Sequence, residues 1–229
     1  MADQVEYQGR LIAVDGSRGK DVRNAAREVR DALRAAGIKC AVSSWDASGL
    51  FGEFAAGGGD RGVSPRVLSL VYAADLAFRL RWEIRPALEA GGIIVAAPYV
   101  DTAIAFGASC GLEEKWLREL LRFAPQPDWR VRSEERKVEK SWKRRLDRGY
   151  PEFAAMLLDQ PAPAIVTAST RRRMIDRLEA AGTRRTYHIT AKSLGALAKA
   201  CRADAERRTT GSRPDASSRG PSPPRSGRK

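Results

Sequence analysis

Residues 11–37 read LIAVDGSRGKDVRNAAREVRDALRAAG and combine a short apolar run, a glycine-rich turn and a helical pattern. The run Leu11–Val14 is continuous and apolar, as in a strand buried on both faces of a parallel sheet. From about Asp21 onward, apolar side chains recur on one helical face, and Gly37 follows where a C′ glycine is expected. A second short strand is predicted at Lys39–Ser43. The order strand, turn, helix, strand predicts a βαβ unit.

The rest of the chain continues this alternation of strands and helices. Periodicity and turn signals predict a loop at Gly49–Gly62, a helix from Ser64 to Ile84, a strand at Gly92–Ala97, a helix at Gly111–Phe123, a basic helical stretch at Arg130–Met156, a strand at Ala164–Ala168, and helices at Thr170–Ala181 and from Thr190 to about Arg207. This order predicts an α/β fold, a three-layer parallel sheet with helices on both faces. Ligands of such sheets bind at the carboxyl ends of the strands, which are predicted at Asp15–Lys20, Ser44–Ser48, Ala97–Tyr99 and Ala168–Arg171.

The composition is that of a globular protein, and we expect a cytoplasmic location. Of the 229 residues, 43% are apolar and 30% are charged. No stretch approaches the roughly 20 apolar residues of a membrane span, and the first residues lack the apolar core of a signal peptide. Cys40, Cys110 and Cys201 lie far apart without CxxC spacing, which predicts reduced thiols and no metal site. A single histidine, His188, excludes chemistry that needs a histidine pair.

The net charge of +13 is concentrated in two places, Arg130–Arg148 and the tail after about Arg207. The tail is rich in Ser, Gly, Pro and Arg, so we expect it to be disordered. It either holds nucleic acid or another anionic surface loosely or serves as a solubilising extension, and the sequence leaves both open. The predicted divisions are a short extension at 1–8, the α/β domain at 9–183 with a lid-like basic segment at about 130–150, a helical extension at 184–207 and the basic tail at 208–229.

The middle of the chain carries a family resemblance. Residues 64–128 read SPRVLSLVYAADLAFRLRWEIRPALEAGGIIVAAPYVDTAIAFGASCGLEEKWLRELLRFAPQPD. They resemble the substrate helix, the I-x-P-A-L-x-x-G turn and the following strand of the thymidylate kinases, which are P-loop nucleoside monophosphate kinases. The resemblance covers roughly residues 9–181 and implies a P-loop kinase-like fold. In an active member it also implies ATP and Mg²⁺ as cofactors, dTMP or a related nucleotide as acceptor, and a possible homodimer.

The turn after the first strand departs from a Walker A loop, GxxxxGK[ST]. Such a loop cradles phosphates with successive backbone N–H groups, while its lysine reaches the phosphates and its hydroxyl reaches Mg²⁺. Here only two residues separate Gly16 from Gly19-Lys20, and Asp21 replaces the hydroxyl residue. Lys20 and the helix N-terminus still attract anions, although a turn that binds no nucleotide is the alternative. The candidate nucleotide-binding residues are Gly16, Ser17, Arg18, Gly19, Lys20 and Asp21, with Ser169 and Arg171 in the loop that the resemblance places beside adenine.

The remaining site candidates follow from the resemblance alone. It implies that Tyr72 stacks on the acceptor base, and that Arg79 replaces a phosphate-binding arginine whose position holds Leu76. The family's Asp-Arg-Tyr reads Ala97-Pro98-Tyr99 here, so its carboxylate and its arginine are absent. Core packing for Tyr72 and solvated charge for the arginines stay open as alternatives. The candidates are Tyr72, Arg79, Tyr99, Thr102 and Phe106 for substrate binding, Lys20 and Asp101 for catalysis, and Arg136, Arg144, Arg145 and Arg148 for the lid.

Three functions stay open at this point. The loss of several charged groups would leave little phosphoryl transfer, which favours a catalytically impaired relative that binds a nucleotide or a protein partner. The alternative is an active ATP-dependent dTMP kinase with an atypical phosphate loop. A second alternative is a nucleic-acid-associated protein that uses the basic lid and tail.

Overall fold

One parallel sheet organises the residues described by the structure, a computed structural model: 7–17, 19–45, 47–49, 64–133, 168–183 and 185–211. Within these residues the strands are β1 (Arg10–Asp15), β2 (Cys40–Ser44), β3 (Ile93–Ala97), β4 (Trp129–Arg132) and β5 (Thr186–His188). They lie in the order β2-β3-β1-β4-β5, and neighbouring strands pair in parallel throughout. The predicted fold class, a parallel α/β sheet between helical layers, is confirmed.

Helices connect these strands. They are α1 (Gly19–Ala35), α2 (Pro65–Arg79), a π-helical turn (Leu80–Ile84), α3 (Arg85–Glu89), α4 (Val100–Ser109), α5 (Glu114–Leu120), α6 (Ala168–Ala180) and α7 (Ala191–Gly211). Helix α2 begins as the sequence predicts, because the Ser64 side chain accepts a hydrogen bond from the Val67 amide at 3.3 Å and Pro65 occupies the first turn.

The two faces of the sheet build two separate cores. Along β1 the side chains alternate, so that Leu11 and Ala13 pack on one face while Ile12 and Val14 pack on the other. The first face is covered by α2 to α6, and the second by α1 and α7. Burial on both faces explains why β1 reads as a continuous apolar run.

The predicted basic helix at Arg130–Met156 is wrong over its first three residues, which belong to strand β4. Trp129 and Val131 are buried on one face of the strand, in the core shared with α1 and α7. Arg130 and Arg132 alternate with them and point to the opposite face. Charge suggested a solvated helix, but the alternation of buried and basic side chains is that of a strand. Residues 134–156 lie outside the described part of the chain.

Two further boundaries differ from the sequence predictions. Val100–Ser109 forms helix α4, which was not predicted, immediately after the third strand. Ala168 begins helix α6 rather than ending a strand, and residues 164–167 lie outside the described part. Among the described strands, the one that follows β4 is β5, and its carboxyl end near His188 was not among the predicted strand ends.

The segment predicted as a helical extension, 184–207, contributes to the same sheet and core. Its strand β5 pairs with β4, and α7 buries Leu194, Leu197 and Cys201 against the core that α1 covers. Helix α7 continues to Gly211, past the residue where the tail was predicted to begin. No helix in the described ranges is both long enough and apolar enough to cross a membrane. Residues 1–6 and 212–229, with most of the predicted Gly49–Gly62 loop, lie outside these ranges.

Candidate functional site

The carboxyl ends of β1, β3 and β4 meet at one edge of the sheet. There the β1 end supplies Asp15, the turn after β3 supplies Tyr99 and α4 supplies Thr102, while Arg132 ends β4. The register pairs Asp15 directly with Arg132. This edge is therefore where the fold brings polar side chains together, as expected for a parallel sheet.

Asp15 is the centre of this polar cluster. Its Oδ1 accepts hydrogen bonds from the Tyr99 amide (2.9 Å), the Thr102 amide (2.9 Å) and the Thr102 hydroxyl (2.7 Å). The two amides belong to the start of α4, so the carboxylate caps that helix from the neighbouring strand. Asp15 is fully buried, and this burial, together with the nearby charge of Asp101, raises its pKa to about 6, although Arg132 and Thr102 act in the opposite direction.

Arg132 links the two carboxylates of the site. Its Nη2 donates to Asp101 Oδ2 at 2.8 Å, and its Nη1 lies 3.6 Å from Asp15 Oδ2. Its Nε donates to the Leu178 carbonyl of α6 at 3.1 Å. Arg130 approaches the same Asp101 oxygen at 3.3 Å. Asp101, a predicted catalytic residue, is thus engaged by two arginines.

The glycine-rich turn is closed by Ser133, the residue that follows β4. The Gly16 amide donates to Thr102 Oγ1 at 3.1 Å, and the Ser133 amide donates to the Asp15 carbonyl at 3.0 Å. A Cβ at Gly16 would lie 1.8 Å from Ser133 Oγ, so only glycine permits this approach. The turn is therefore packed against the end of β4.

Two predicted nucleotide-binding segments meet at this turn, although they are far apart in sequence. The Nε of Arg171, in the first turn of α6, donates to Ser17 Oγ at 3.0 Å, and both residues are buried. Gly19 and Lys20 begin α1, and Asp21 follows in its first turn. Ser169 is exposed at the start of α6. Arg18 lies outside the described residues.

The predicted base-stacking residue, Tyr72, is fully buried and stacks on a side chain of the protein itself. The Trp45 indole lies over the Tyr72 ring with 4.8 Å between ring centroids and 13° between planes. The Tyr72 hydroxyl donates to the Tyr99 carbonyl at 2.8 Å, and the Trp45 amide donates to the Ala97 carbonyl at 3.1 Å. One face of the Tyr72 ring is thus covered by Trp45, which follows β2.

Arg79 binds the ends of two strands. Its Nε and Nη2 donate to the Ser43 hydroxyl (2.9 Å) and carbonyl (2.8 Å), and its Nη1 donates to the Pro98 carbonyl (3.0 Å). Asp75 lies 4.0 Å from the guanidinium, and both side chains have no exposed area. Asp75 in turn accepts hydrogen bonds from the amide and hydroxyl of Ser48 at 3.1 and 3.0 Å. The guanidinium of Arg79 is directed at the protein itself.

The other substrate candidates lie in or beside the core. The Tyr99 hydroxyl donates to the Pro125 carbonyl at 2.8 Å, Thr102 joins Asp15 to Gly16, and Phe106 is buried in the core beneath α4. A cavity of about 260 Å³ opens next to Tyr99 and Asp101, between α4 and Arg130. The lid candidates Arg136, Arg144, Arg145 and Arg148 lie outside the described residues.

The described residues around the glycine-rich turn include groups that attract a phosphate. Helix α1 directs its N-terminus at the turn, and Arg171 adds a positive charge beside it. Asp15 and Asp101 lie at the strand ends and both face arginines, and Asp21 adds a third carboxylate in the first turn of α1. Among the residues that the structure describes, no group of three or more His, Cys, Asp or Glu side chains could hold a metal ion.

Sequence reasoning missed Trp45, Arg132 and Ser133 as parts of the site. Trp45 follows a strand end, where a functional side chain is expected, but nothing in the sequence reveals that its ring lies on Tyr72. Arg132 and Ser133 could have been found, because apolar and basic residues alternate from Trp129 onward. This alternation predicts a strand that ends at this edge.

Comparison with known proteins relates the chain to one group of enzymes. No family model matches the chain. It is 43% identical over 68 residues to the thymidylate kinase of Thermomicrobium roseum, covering 29% of this chain and 32% of that protein. It is 32% identical over 133 residues to the thymidylate kinase of Xanthomonas oryzae pv. oryzae (56% and 57%). It is 29% identical over 117 residues to a probable thymidylate kinase of Pyrobaculum calidifontis (51% and 60%). The matched regions thus span between about a third and three fifths of these relatives.

Proposed function

We propose that this chain, which is related to the thymidylate kinases, binds a nucleoside phosphate at the Asp15–Asp21 turn but is impaired as a dTMP kinase. The turn retains Lys20 and the N-terminus of α1, which attract phosphate. A cytoplasmic location belongs to the same proposal, because nucleoside phosphates are its proposed ligands.

The stack of Trp45 on Tyr72 carries this proposal. The family resemblance implies that an aromatic ring at position 72 receives the acceptor base, and in this chain an indole covers a face of that ring. A base and an indole are flat aromatic groups of similar size, so they compete for the same face. Trp45 thus fills a position where the acceptor base would lie.

The surrounding charges support the same conclusion. Arg79 is committed to Ser43 and Pro98 by three hydrogen bonds, and Leu76 has no charge. Pro98 stands where the resemblance implies an arginine on the transferring phosphoryl group, and such an arginine contributes factors of about 10³–10⁵ in rate. Phosphoryl transfer to dTMP therefore lacks its usual positive charges among the described residues.

A matched pair of aromatic substitutions tests the acceptor-site proposal. Thermal unfolding is followed with and without dTMP for the wild type, Trp45→Ala and Phe123→Ala, in which an exposed aromatic side chain is removed. We expect dTMP to raise the unfolding temperature of Trp45→Ala alone, because only that variant uncovers Tyr72. A wild-type protein that is stabilised by dTMP as strongly as Trp45→Ala would contradict the proposal.

An active dTMP kinase is the second candidate, and the identities to proteins named thymidylate kinase favour it. It would use ATP and Mg²⁺. A coupled assay of ADP formation with ATP, Mg²⁺ and dTMP distinguishes the impaired relative from the active kinase. We expect less than a thousandth of an ordinary kinase turnover, for which roughly 1–100 s⁻¹ is typical. Turnover in that ordinary range, abolished by Lys20→Ala, would establish the active kinase instead.

A homodimer is the partner that the described surface supports best. Helix α2 and the π-helical turn expose Val67, Leu70, Phe78 and Trp82, of which Trp82 is 64% exposed. Their spacing puts them along the outward side of one helix, and apolar patches of this kind are typical of interfaces. We propose that two chains pair through this face.

Light scattering during size-exclusion chromatography should give twice the chain mass for the wild type and the single mass for Trp82→Glu; equal masses would contradict the pairing.

A further inference from the structure

We propose that the cavity between α4, the end of α5 and β4 binds a small organic carboxylate, whose charged end meets arginines and whose apolar body meets the cavity wall. The cavity has a volume of about 260 Å³. Sites for drug-sized ligands have roughly 300–1,000 Å³, so the ligand here is smaller than those. The proposal does not depend on nucleotide binding at the Asp15–Asp21 turn, from which only Asp15 lines the cavity.

The wall of the cavity is largely apolar. Tyr99, Val100, Ile104, Leu121 and Pro125 contribute to it. The Tyr99 ring is held in place, because its hydroxyl donates to the Pro125 carbonyl at 2.8 Å. Ile104 and Leu121 are themselves part of the core beneath α4. A wall of this kind suits the apolar body of a small ligand, which gains free energy by leaving water.

Three arginines line the same cavity, Arg118, Arg122 and Arg130. The side chains of Arg118 and Arg122 are 62% and 74% exposed, so these two form the rim. The Arg130 side chain is 18% exposed, and its Nη2 donates to Gln126 Oε1 at 3.2 Å. Guanidinium groups form strong, charge-assisted hydrogen bonds with carboxylates. The cavity therefore combines an apolar wall with cations that a carboxylate can reach.

The two carboxylates that line the cavity are already opposed by arginines. Asp101 Oδ2 lies 2.8 Å from Arg132 Nη2 and 3.3 Å from Arg130 Nε. Asp15 Oδ2 lies 3.6 Å from Arg132 Nη1. An incoming anion thus meets ion pairs at the inner end of the cavity, and the positive charge of the rim is added to them.

The rim arginines can exchange their present partners for a ligand. Arg118 lies 2.6 Å from Glu114, and Arg122 lies 3.1 Å from Glu119. Exposed pairs of this kind contribute little to stability, because water screens them. Glu114 also pairs with Arg177 at 3.0 Å, so it keeps a cation when Arg118 turns to the cavity. Binding a carboxylate at the rim therefore leaves no buried charge unpaired.

Three probes of similar size separate the effect of charge from that of shape: benzoate, benzyl alcohol and benzylamine. Each is titrated into the full chain at pH 7.5 and constant ionic strength, and amide chemical shifts are followed by NMR. We expect benzoate to shift the amides around Val100–Ile104 and Arg118–Arg130, and to bind about tenfold more tightly than the other two probes. Tightest binding of benzylamine, or no saturable shift with benzoate, would overturn the proposal.

A matched pair of double variants tests the rim. Arg118→Gln with Arg122→Gln removes both rim cations, whereas Arg23→Gln with Arg27→Gln removes two exposed arginines of α1, on the opposite face of the sheet. We expect the affinity for benzoate to fall about tenfold in the rim variant and to stay within about twofold in the α1 variant. Equal affinities in the two variants would show that the rim does not hold the carboxylate.

A third variant, Val100→Phe, fills the cavity without changing its charge. We expect it to weaken benzoate binding at least about tenfold, because the body of the ligand loses its space. Wild-type affinity in Val100→Phe would place the ligand outside the cavity and overturn the proposal. Circular dichroism checks the fold of each variant. If Val100→Phe unfolds, the comparison of the two arginine pairs decides the proposal by itself, since all four of these side chains are exposed.

Discussion

Asp15 is a carboxylate whose surroundings act on its ionisation in opposite directions. Its burial and the charge of Asp101 favour the protonated form, whereas Arg132 and the hydrogen bonds from Thr102 favour the ionised form. Burial is the largest of these effects and raises the pKa from 3.8 to about 6. Because the folded-state pKa exceeds the unfolded one, this group stabilises the fold fully below pH 3.8, and the contribution is lost as the pH rises through about 6.

This direction can be measured with Asp15→Asn, which keeps the shape but cannot titrate. We expect the free energy of unfolding of the wild type, minus that of Asp15→Asn, to fall by roughly 3 kcal/mol between about pH 3 and pH 8. Urea unfolding at several pH values gives this difference. At the exposed Asp31, whose pKa is lowered by Arg30, the same comparison with Asp31→Asn should run in the opposite direction. A difference that rises with pH at Asp15 would mean that Arg132 outweighs burial.

Arg79 presents a second test, because its guanidinium is hydrogen-bonded to the protein itself. Its guanidinium joins the ends of β2 and β3 and lies beside the buried Asp75. Replacing it by methionine should cost about 3 kcal/mol of unfolding free energy, since a buried carboxylate loses its cation. Arg85→Met, at an exposed position of α3, should change stability by less than about 0.5 kcal/mol. Equal midpoints of urea unfolding for Arg79→Met and Arg85→Met would show that the contacts of the Arg79 guanidinium do not stabilise the fold.

At single positions the sequence could indicate which residues belong to the edge of the sheet, but not their partners. The turn at Asp15 and the segment around Thr102 were both expected there, and they do meet. Whether Tyr72 faces a ligand or a protein side chain depends on Trp45, which lies 27 residues away in sequence. Such pairings are set by long-range packing that no local pattern encodes.

At the scale of elements, strands were predictable where burial leaves a continuous apolar run. β1 and β3 have such runs because both of their faces are covered. β4 has arginines at every second position, and from the sequence alone these charges suggest the exposed face of a helix. In the structure, Arg132 instead donates hydrogen bonds to Asp101 and to the Leu178 carbonyl. β5 is three residues long, TYH, and half-buried throughout, which leaves almost no periodic signal.

The closing elements, β5 and α7, lead to a prediction about where the domain ends. α7 buries Leu194 and Leu197 against the core, and its Asp204 accepts a hydrogen bond from Arg10 of β1 at 2.9 Å. Deleting everything after Thr190 removes these contacts, and each buried leucine alone contributes about 2–5 kcal/mol. We expect that truncated chain to lose cooperative thermal unfolding. Deletion after Gly211 removes none of these contacts, so it should change the free energy of unfolding little. The unfolding temperature should then stay within about 2 °C of that of the full chain. Cooperative unfolding of the shorter chain would place the domain end at residue 183 after all.

Across the whole molecule, fold and site differ in how far sequence predicts them. The fold follows from the order of apolar runs and helical faces, and a few substitutions do not disturb that order. The site depends on which charged groups meet at the sheet edge, and Arg132 reaches that edge from a strand that was predicted as a helix. A family resemblance therefore transfers more reliably to the sheet than to the chemistry at its edge.

Net charge is a property of the whole chain, and it supports a last prediction about nucleic acid. Residues 130–148 contain nine Lys or Arg against four Asp or Glu, and residues 212–229 contain five against one. Arg130 and Arg132 face Asp101, and residues 212–229 have the larger ratio of basic to acidic residues of the two segments. We expect weak, sequence-independent binding to duplex DNA that falls steeply with salt, because each neutralised phosphate releases about 0.9 counterions. Fluorescence anisotropy across a salt series should show the slope of log K against log[salt] reduced by about 3–4 on deletion after Gly211. An unchanged slope would assign the DNA-binding charges to the rest of the chain. If neither the full chain nor the chain deleted after Gly211 binds DNA, nucleic acid is removed from the candidate partners.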